Sequence, residues 1–541
     1  MDKIAIIGLS CLLPGAENPE QYWQNLLHKK DLISFATVEQ MGVEPNIFYA
    51  KEKGNIDKYY CLKGGYIQNF AFNGNGYKIS SDILQELDEM YKWSLYVAKQ
   101  ALEDSGYFAN KSALSKCGII LGNLSFPTRK SHQLFAPIYH QSINSALQKL
   151  LSIPDFQLKN IAKKVSNLNG YISGYPASLI ARVLSLSGVN FSLDAACASS
   201  LYSIKLACDY LSAGKANLML AGAVSCAHPL FINMGFSIFQ AYPENNQSLP
   251  LNKSSGGLIA GEGAGMVVLK RYEDALKDGD RIYATIKGTG LSNDGKGKFV
   301  LQPNSKGQIL AFERAYKNAN INPDTVEYIE CHATGTPVGD ITELNSMETF
   351  FSQYHHSPLL GSVKSNLGHL LTSAGIASLI KVILSFSKNI IPPTINITEP
   401  LKSHQKNIGG ENIVTSPIAW KQVHKRAGVS AFGFGGCNAH LILENNDSSV
   451  FLKEKGNQKS IDKLQSKEQS TTQKLAIIGM DAFFGGCDGL DSLDYTIYEG
   501  KQNFITLPTK RWQGIETETE LLKKYGFNAG EAPQGAYIKD F

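Results

Sequence analysis

One cysteine stands where an apolar strand is followed at once by a helix. In the segment NFSLDAACASSL, residues 190–201, the strand ends at Asp194, small residues follow, and Cys197 directly precedes an amphipathic helix. The start of a helix presents unpaired amides and the positive end of its dipole, which favour thiolate over thiol. The main-chain amide of Cys197 could also help to bind a developing oxyanion. The segment therefore indicates a nucleophilic thiol, with a buried structural cysteine as the alternative.

Two histidines follow two later strands. His332 lies in ECHATGTPVGD, after an apolar strand and at the start of a loop rich in Gly, Thr and Pro. A histidine in such a place can act as an acid, a base or a hydrogen-bond donor, and Thr334 and Thr336 could bond a polar substrate arm. Lys364 and His369 lie in GSVKSNLGH, which brings a cation and a second imidazole to one turn. Taken alone, a histidine at such a strand end would more often be structural.

A glycine-rich turn between two apolar strands is the fourth segment that could carry chemistry. The segment AFGFGGCNAH, residues 431–440, could be a plain hairpin when it is taken alone. It does not match a phosphate-binding loop, because no Gly-Lys-Ser/Thr follows. Its significance therefore depends on the other three segments.

Strands and helices must position these segments, and they alternate through residues 1–446. Such alternation predicts an α/β fold with a mainly parallel sheet covered by helices. The strand candidates are residues 3–9, 118–123, 190–194, 218–224, 266–269, 326–331 and 359–363, and the helix candidates include 199–212, 308–319 and 374–386. Each of the first three chemical segments begins at the end of a strand.

Together, the four segments resemble the condensing enzymes of fatty acid and polyketide synthesis, the β-ketoacyl synthases. The order DAACASS, HATGT, KSNLGH and GFGG-N-AH is similar to that family, with similar spacing, over residues 1–446. The segments ALEDSG, residues 101–106, and GEGAG, residues 261–265, are similar to it too. The resemblance implies a thiolase-like fold, in which two similar halves form a five-layered α-β-α-β-α core.

The resemblance implies an acyltransferase that catalyses a decarboxylative Claisen condensation and lengthens an acyl chain by two carbons. Cys197 would take the acyl chain as a thioester. His332 and His369 would bind the thioester carbonyl of a malonyl unit and promote loss of CO₂, and the enolate would then attack the acyl-cysteine. Because the cysteine and both histidines are present, elongation is favoured over priming and over an inactive chain-length factor.

Further residues match supporting positions of the family. Lys364 matches the active-site lysine, and Glu343 matches the carboxylate that often partners it. Phe434 matches a gating phenylalanine beside the cysteine. The amides of Phe434 and Cys197 would form an oxyanion site.

The resemblance also implies how the substrates are presented. Thr334 and Thr336 match threonines that contact the phosphopantetheine arm of an acyl carrier protein, which is the implied partner. No cofactor or metal is expected to be bound by the domain itself. Three positions depart from the family: Ala333 replaces a common Gly, Cys437 replaces a usual Thr, and Lys92 replaces a usual Arg. The first two put the shape of the pocket in question rather than its chemistry.

The end of the chain repeats its beginning at an offset of 471 residues. KIAIIG at 3–8 recurs as KLAIIG at 474–479, and GGYIQNF at 64–70 recurs as GAYIKDF at 535–541. Residues 447–473, which are rich in Lys, Gln, Ser and Glu, are expected to form a flexible linker. Residues 474–541 are expected to be the truncated start of a second synthase-like domain.

A synthase followed by a second synthase-like domain resembles the polyunsaturated fatty acid synthase subunit that joins a ketosynthase to a chain-length factor. GYPASLI at 174–180 and KLAIIGMD at 474–481 are similar to that branch. We expect the chain to be a fragment of a longer polypeptide, in which the first domain forms either a homodimer or a pseudo-dimer with a second domain that lacks the cysteine. A ketosynthase of a modular polyketide synthase is the alternative, although an acyltransferase would normally follow its linker.

Composition favours a globular protein and gives no case for nucleic acid. Of the 541 residues, 43% are apolar and 18% charged, and the net charge of +4 comes with no long basic run. The start lacks the features of a signal peptide, and we expect no apolar run of the roughly 18 residues that span a membrane. Nine cysteines without a CxxC pair indicate a reducing, cytoplasmic setting.

Three other functions compete with condensation. A non-elongating, synthase-like scaffold would be expected to lack Cys197. A thiolase relative that acts on coenzyme A thioesters would not combine HATGT with KSNLGH. A carrier or binding module would have no need of so many residues suited to catalysis.

Overall fold

The computed structural model describes residues 3–158, 165–170, 173–296, 302–446, 475–512, 519–524, 526 and 534–538. The chain divides into two compact units. The larger unit comprises Met1–His132 and Val165–Leu452, and the smaller comprises Gln133–Lys164 and Lys453–Phe541. The expected linker, residues 447–473, lies outside the described residues.

A ten-stranded mixed sheet forms the centre of the larger unit. Its strands are β1 Ile4–Leu12, β2 Cys117–Asn123, β3 Asn190–Leu193, β4 Leu218–Ser225, β5 Gly263–Arg271, β6 Ala284–Asn293, β7 Tyr328–Glu330, β8 Leu359–Gly361, β9 Arg426–Gly433 and β10 Cys437–Asn445. They lie in the order β8-β7-β9-β10-β6-β1-β5-β4-β2-β3. Every residue of β1 and β4 is buried, as expected for apolar strands that are covered on both faces.

The sheet consists of two halves with the same strand order. Read outwards from the middle, the first half runs β1-β5-β4-β2-β3 and the second runs β6-β10-β9-β7-β8. In each half the two inner neighbour pairs are antiparallel and the two outer pairs are parallel. Antiparallel pairing of β1 with β6 joins the halves. The expectation of two similar halves is confirmed.

The expectation of a mainly parallel sheet is wrong, because five of the nine neighbour pairs are antiparallel. The antiparallel pairs arise from connections that the alternation of strands and helices does not reveal. β9 returns directly as β10 through the short glycine turn at 434–436. β4 returns as its antiparallel neighbour β5 after a long connection that contains one helix.

Helices cover both faces of each half of the sheet. Among the described helices are α1 Pro19–Leu27, α2 Glu89–Asp104, α3 Arg129–Leu151, α4 Tyr175–Leu184, α5 Ser199–Ser212, α6 Pro229–Ile238, α7 Tyr272–Asp278, α8 Ser305–Ala319, α9 Pro337–Phe351 and α10 Ala374–Lys388. α2 and α4 pack on the outer face of the first half, and α8 packs on the outer face of the second, with α9 beside it. α5 and α10 lie between the halves and contact each other. This arrangement forms the five layers of a thiolase-like core.

The central helix α10 is almost entirely buried. Gly375 lets it approach α5 closely, because a Cβ at this position would lie 2.6 Å from Ser200 Oγ. Contrary to expectation, the stretch Leu371–Lys388 is long and apolar enough by composition to span a membrane. Since 89% of it is buried inside the protein, it is the core helix of a globular domain.

Several short elements complete the described structure. Two-residue strands pair Ser34–Phe35 with Lys63–Gly64, Ile390–Ile391 with Ile418–Ala419, Phe483–Phe484 with Cys487–Asp488, and Ile505–Thr506 with Gln534–Gly535. The remaining helices are Val38–Met41, Ser81–Glu86, Lys111–Leu114, Lys364–Leu367, Leu490–Tyr498, Thr509–Trp512 and Thr519–Lys524.

The smaller unit repeats the geometry of the start of the chain. Four elements of residues 490–535 begin and end 471 residues after their counterparts: Leu490–Tyr498 after Pro19–Leu27, Ile505–Thr506 after Ser34–Phe35, Thr509–Trp512 after Val38–Met41, and Gln534–Gly535 after Lys63–Gly64. Gly64 and Gly535 also have equivalent local surroundings. A Cβ on either glycine would meet the ring of the tyrosine two residues later, at 2.5 and 2.8 Å. The sequence repeat is therefore also a repeat of local structure.

One segment of the repeat differs from its counterpart. β1 pairs with β5 and β6, whereas the equivalent residues 475–480 form no strand and pair with none of the strands described for the smaller unit. The side chains of Leu475, Ile477 and Ile478 are 96%, 84% and 97% exposed. A segment with the pattern of an inner strand can be buried only when neighbouring strands flank it. Lys474 and residues 539–541 of the repeat lie outside the described residues.

Candidate active site

Cys197 lies in a tight turn between β3 and α5. Ala196 has a φ of 48°, which is uncommon for a residue with a side chain. Hydrogen bonds on both sides hold this conformation: the Ala196 amide donates to Asp194 Oδ1 at 2.9 Å, and Ser199 Oγ donates to the Ala196 carbonyl at 2.6 Å. The turn fixes the thiol at the start of α5, where the sequence predicts it.

The end of β9 packs directly on the cysteine turn. A Cβ at Gly433 would lie 2.7 Å from the Ala195 carbonyl oxygen and 3.2 Å from the Cys197 nitrogen, so only glycine allows this approach. The main-chain amides of Phe434 and Cys197 both act on the Cys197 thiol, and both lower its pKa. The two amides expected to form an oxyanion site therefore converge on the thiol. The Phe434 ring, which is expected to act as a gate, lines the cavity and is 36% exposed.

Burial decides the protonation state of Cys197. It raises the pKa of the thiol to about 11, although the amide of Phe434 and the cation of Lys364 act to lower the pKa. The expectation that the helix start favours the thiolate is not met here, because loss of solvent outweighs the favourable partners of the anion. At neutral pH the Cys197 side chain is therefore a thiol.

His332 follows β7 and is held by a carboxylate on α9. The amides of His332 and Ala333 donate to the two oxygens of Glu343, at 2.8 and 2.7 Å. Glu343 is fully buried, and burial raises its pKa to about 7 despite these bonds. Asp340, one turn earlier on α9, accepts from the amides of Thr334 and Gly335 in the same way. Two buried carboxylates thus fix the backbone of the HATGT segment.

His369 reaches the same cavity from the turn after β8. Its amide donates to the carbonyl of Ile259 at 2.6 Å, and its carbonyl accepts from Gly261. The His332 and His369 rings have centroids 5.3 Å apart and planes at 84°. The structure therefore brings the two predicted histidines together.

Both histidines are neutral. Burial, followed by the nearby cation of Lys364, lowers both pKa values well below 6.5, and the neighbouring imidazole of His369 lowers that of His332 further. The Nδ1 atoms of both rings are buried and have no hydrogen-bond partner among the residues that the structure describes. A neutral imidazole carries one N–H and can donate it to a substrate oxygen.

Lys364 is almost fully buried, 2% exposed, at the first position of the helix Lys364–Leu367. Burial lowers the pKa of its ammonium group, while the carboxylates of Glu330 and Glu343 act to raise it. The expected pairing with Glu343 is not a direct ion pair among the described residues, where each oxygen of Glu343 accepts an amide hydrogen. Glu343 therefore acts on Lys364 at longer range.

Most of the candidate site residues line one cavity of about 250 Å³. Cys197, His332, His369, Phe434, Thr334 and Thr336 all line it, and the two threonine hydroxyls lie 3.1 Å apart. Of the positions that depart from the family, Ala333 lines the cavity and Cys437 does not. Only the first of these two changes therefore affects the shape of the pocket.

Sequence reasoning did not single out Glu330, Asp340 or Lys381. Glu330 and Lys381 form an ion pair of 2.7 Å in which neither side chain is exposed. A glutamate at the end of an apolar strand and a lysine inside an apolar helix are both charges that burial would force to find a partner. A charged residue in each of these two apolar elements is the sequence feature that could have indicated the Glu330–Lys381 ion pair.

Two family models match the chain: "Beta-ketoacyl synthase, N-terminal domain" over residues 1–275 and "Beta-ketoacyl synthase, C-terminal domain" over residues 283–398. Among curated proteins, a polyunsaturated fatty acid synthase polypeptide of Thraustochytrium sp. is 34% identical over 99% of this chain and 25% of its own length. Another polypeptide of the polyunsaturated fatty acid synthase of that organism is 32% identical over 82% of this chain and 16% of its own length. The chain thus spans a quarter or less of these relatives.

The chain is also similar to solved ketosynthase structures. The structure titled "PfaC Keto synthase-Chain length factor" is 50% identical, with a TM-score of 0.91, and the match covers 99% of this chain and 57% of that one. The ketosynthase from module 6 of the bacillaene synthase of Bacillus subtilis 168 is 28% identical, with a TM-score of 0.68. That match covers 83% of this chain and 73% of the other.

Proposed function

This chain belongs to the β-ketoacyl synthase family, and from that premise we propose that residues 1–446 catalyse decarboxylative Claisen condensation. An acyl group carried by Cys197 would be joined to a malonyl unit held on an acyl carrier protein. One observation carries the proposal. A single cavity holds a buried thiol flanked by two amides, together with two neutral histidines at right angles.

The first half-reaction loads the cysteine. The Cys197 sulfur attacks the carbonyl carbon of an acyl-carrier thioester, and the negative charge on the carbonyl oxygen faces the amides of Cys197 and Phe434. The carrier thiolate then leaves and takes up the proton that the cysteine has lost. Because its pKa is raised, Cys197 enters this step as the thiol and must lose its proton as the new C–S bond forms.

The second half-reaction uses the histidines. When the malonyl carboxylate leaves as CO₂, the electron pair of the broken C–C bond forms an enolate on the thioester. His332 and His369 each donate an N–H to that enolate oxygen, where negative charge develops. The enolate carbon then attacks the acyl-cysteine carbonyl, a C–C bond forms and the C–S bond to Cys197 breaks, and the released thiolate takes up a proton from solvent to restore the thiol.

Lys364 supports this chemistry by its charge. A buried cation beside two imidazoles disfavours their protonation, so each ring remains a neutral donor. Glu343 holds the His332 turn and offsets part of the charge of Lys364. No step requires a metal or a cofactor from the domain, since the phosphopantetheine arm would deliver both substrates past Thr334 and Thr336.

Product analysis tests the proposal directly. The protein is incubated with malonyl-carrier protein and a series of acyl-carrier proteins, and the carrier arm is analysed by mass spectrometry. We expect a β-ketoacyl product two carbons longer than the acyl donor, with one CO₂ released for each condensation. Acylation of Cys197 without any elongated product, across the whole series, would instead support a non-elongating scaffold.

The partner of the domain is a further part of the proposal. We propose that residues 474–541 begin a second, chain-length-factor-like domain, and that it pairs with the first as a pseudo-dimer. The repeated elements at 490–535 support this, as does the 50% identical solved structure, whose name joins a keto synthase to a chain length factor. A homodimer of the first domain is the alternative.

We also propose a cytoplasmic location for the protein. This location accords with its nine free cysteines and can be checked by cell fractionation.

A further inference from the structure

The strand that delivers His332 also carries a buried carboxylate that reaches the other histidine turn. Glu330 is the last residue of β7, two positions before His332. Its Oε1 accepts the amide hydrogen of Val363 at 2.7 Å. Val363 directly precedes Lys364 in the turn that leads to His369. One side chain thus connects the ends of β7 and β8, from which the two histidines extend.

The other carboxylate oxygen of Glu330 also has partners. Its Oε2 lies 2.7 Å from the Lys381 ammonium nitrogen and accepts the hydroxyl of Tyr328 at 2.6 Å. Gly361 on β8 makes room for that hydroxyl, because a Cβ there would lie 2.3 Å from it. Glu330 therefore accepts a hydrogen bond on each of its two oxygens.

The buried negative charge of Glu330 is paired with a buried positive charge. Glu330 and Lys381 are both fully buried, and charged side chains are rarely buried to this degree unless they are paired. Lys381 lies on α10, the helix between the two half-sheets, so the pair also ties this helix to the strand end. Glu330 is the carboxylate that acts most strongly on the buried Lys364 cation, followed by Glu343.

We infer that Glu330 is a positioning residue for decarboxylation: it fixes the His369 turn against the His332 strand, with Lys381 as its counter-ion. The inference rests on the proposed condensation chemistry. Glu330 is not among the residues that line the cavity. Its effect should fall on the half-reaction that needs both histidines at one oxygen. It should spare Cys197, whose turn follows β3 in the other half-sheet.

The Glu330→Gln variant is tested in two assays, one that reports on the histidine pair and one that reports on the Cys197 thiol. CO₂ release from malonyl-carrier protein reports on the histidine pair, and the rate of Cys197 alkylation by iodoacetamide reports on the thiol. We expect CO₂ release to fall about 10- to 100-fold, the scale of a small misplacement of catalytic groups. Alkylation should stay within about twofold, as for an independent site. Equal losses in both assays, or no loss of CO₂ release, would overturn the inference.

Asp280→Asn is the matched control. It weakens a second ion pair, between Lys270 and Asp280, whose side chains are only 6% and 10% exposed and which lies outside the cavity. Neither assay should respond to this control beyond any change in the folded fraction. A selective loss of CO₂ release in the control would show that any weakened core pair gives the same result, and would count against a special role for Glu330.

Two further variants keep the inference testable if Glu330→Gln does not fold. The double variant Glu330→Gln, Lys381→Met removes the uncompensated buried cation and should show the same selective loss. Tyr328→Phe keeps both charges and removes one donor to Glu330, and CO₂ release should fall about threefold. Unchanged CO₂ release in Tyr328→Phe would overturn the inference in that case. Full CO₂ release in His332→Ala would instead refute the proposed function itself.

Discussion

The rings of His332 and His369 lie edge to face, with centroids 5.3 Å apart and planes at 84°. One follows β7 and the other follows β8, and these two strands pair in parallel. Parallel neighbours end at the same edge of a sheet, so the residues that follow them meet there. The geometry lets both rings address a single oxygen, and it leads to the first prediction.

Malonyl decarboxylation should depend on both histidines and not on the thiol. Cys197→Gln, which imitates the acylated cysteine, should still release CO₂ from malonyl-carrier protein. In that background, replacing His332 or His369 by Ala should lower CO₂ release by about 100-fold, the scale of losing one oxyanion donor. Trapping of labelled CO₂ measures the rate.

His356→Ala is the control for the histidine variants. This partly buried histidine lies outside the cavity, where its Nε2 is within 2.7 Å of the Val326 carbonyl. Its replacement should leave CO₂ release unchanged. If both site variants matched this control, the proposed division of labour between thiol and imidazoles would be wrong.

Cys197→Ala should abolish acyl loading and leave the fold intact. The side chain lost is small, and the turn is held by Asp194 and Ser199 rather than by the sulfur. Cys208→Ala, eleven residues later on α5 and equally enclosed, should load normally. Peptide mass analysis after incubation with labelled acyl-carrier protein locates the acyl group. Labelling of any other cysteine in the wild type would contradict the assignment.

Gly433→Ala tests the contact between β9 and the cysteine turn. Because the added Cβ would lie 2.7 Å from the Ala195 carbonyl oxygen, one of the two segments must shift, and the amides of Cys197 and Phe434 would move apart. We expect acyl loading to fall by about 10-fold or more. Gly174→Ala, where a Cβ meets nothing within 4 Å, should load at the wild-type rate. Equal loading rates in the two variants would argue against an oxyanion site at this contact.

The residues that the sequence singles out lie together in the structure because they follow strand ends. Cys197, His332 and Lys364 each follow an apolar strand, and in a layered α/β fold such ends converge. The pKa of Cys197 could not be predicted, since the helix start is local whereas burial depends on distant segments such as β9. For the same reason the Glu330–Lys381 pair was missed: neither residue reveals its partner until α10 packs against β7.

The contribution of His440 to stability should fall as the pH drops below 6.5. Burial lowers the pKa of this histidine from 6.5 to about 3. Below pH 6.5 the unfolded chain binds a proton there and the folded protein does not, so the stabilising contribution is present above pH 6.5 and is lost on acidification. At pH 5 the loss is about 2 kcal/mol, at 1.36 kcal/mol for each pKa unit.

His440→Gln isolates this contribution. Buried carboxylates such as Glu343, whose pKa is raised, act in the opposite direction, but they are the same in both proteins and cancel in the comparison. Chemical denaturation at pH 7 and pH 5 gives the two free energies of unfolding. The variant should lose about 2 kcal/mol less than the wild type between these pH values. Parallel losses would show that the histidine titrates normally.

The last prediction concerns the repeated strand segment, residues 475–480. Ile477 corresponds to Ile6 of β1 by the 471-residue offset; Ile6 is fully buried and Ile477 is 84% exposed. In the 541-residue chain, Ile6→Asp should cost more than about 4 kcal/mol, because it buries an unpaired charge, whereas Ile477→Asp should stay within about 0.5 kcal/mol.

A polypeptide that continues past residue 541 should reverse this contrast for Ile477. If a second thiolase-like domain follows, its strands would flank residues 475–480 and bury them, and Ile477→Asp should then unfold that domain and release the pseudo-dimer, as sedimentation would show. We also expect no cysteine 471 residues beyond Cys197 in such a polypeptide. The idea would be wrong if Ile477→Asp remained harmless there, if a homodimer formed through the first domain alone, or if a second complete Cys-His-His set were present.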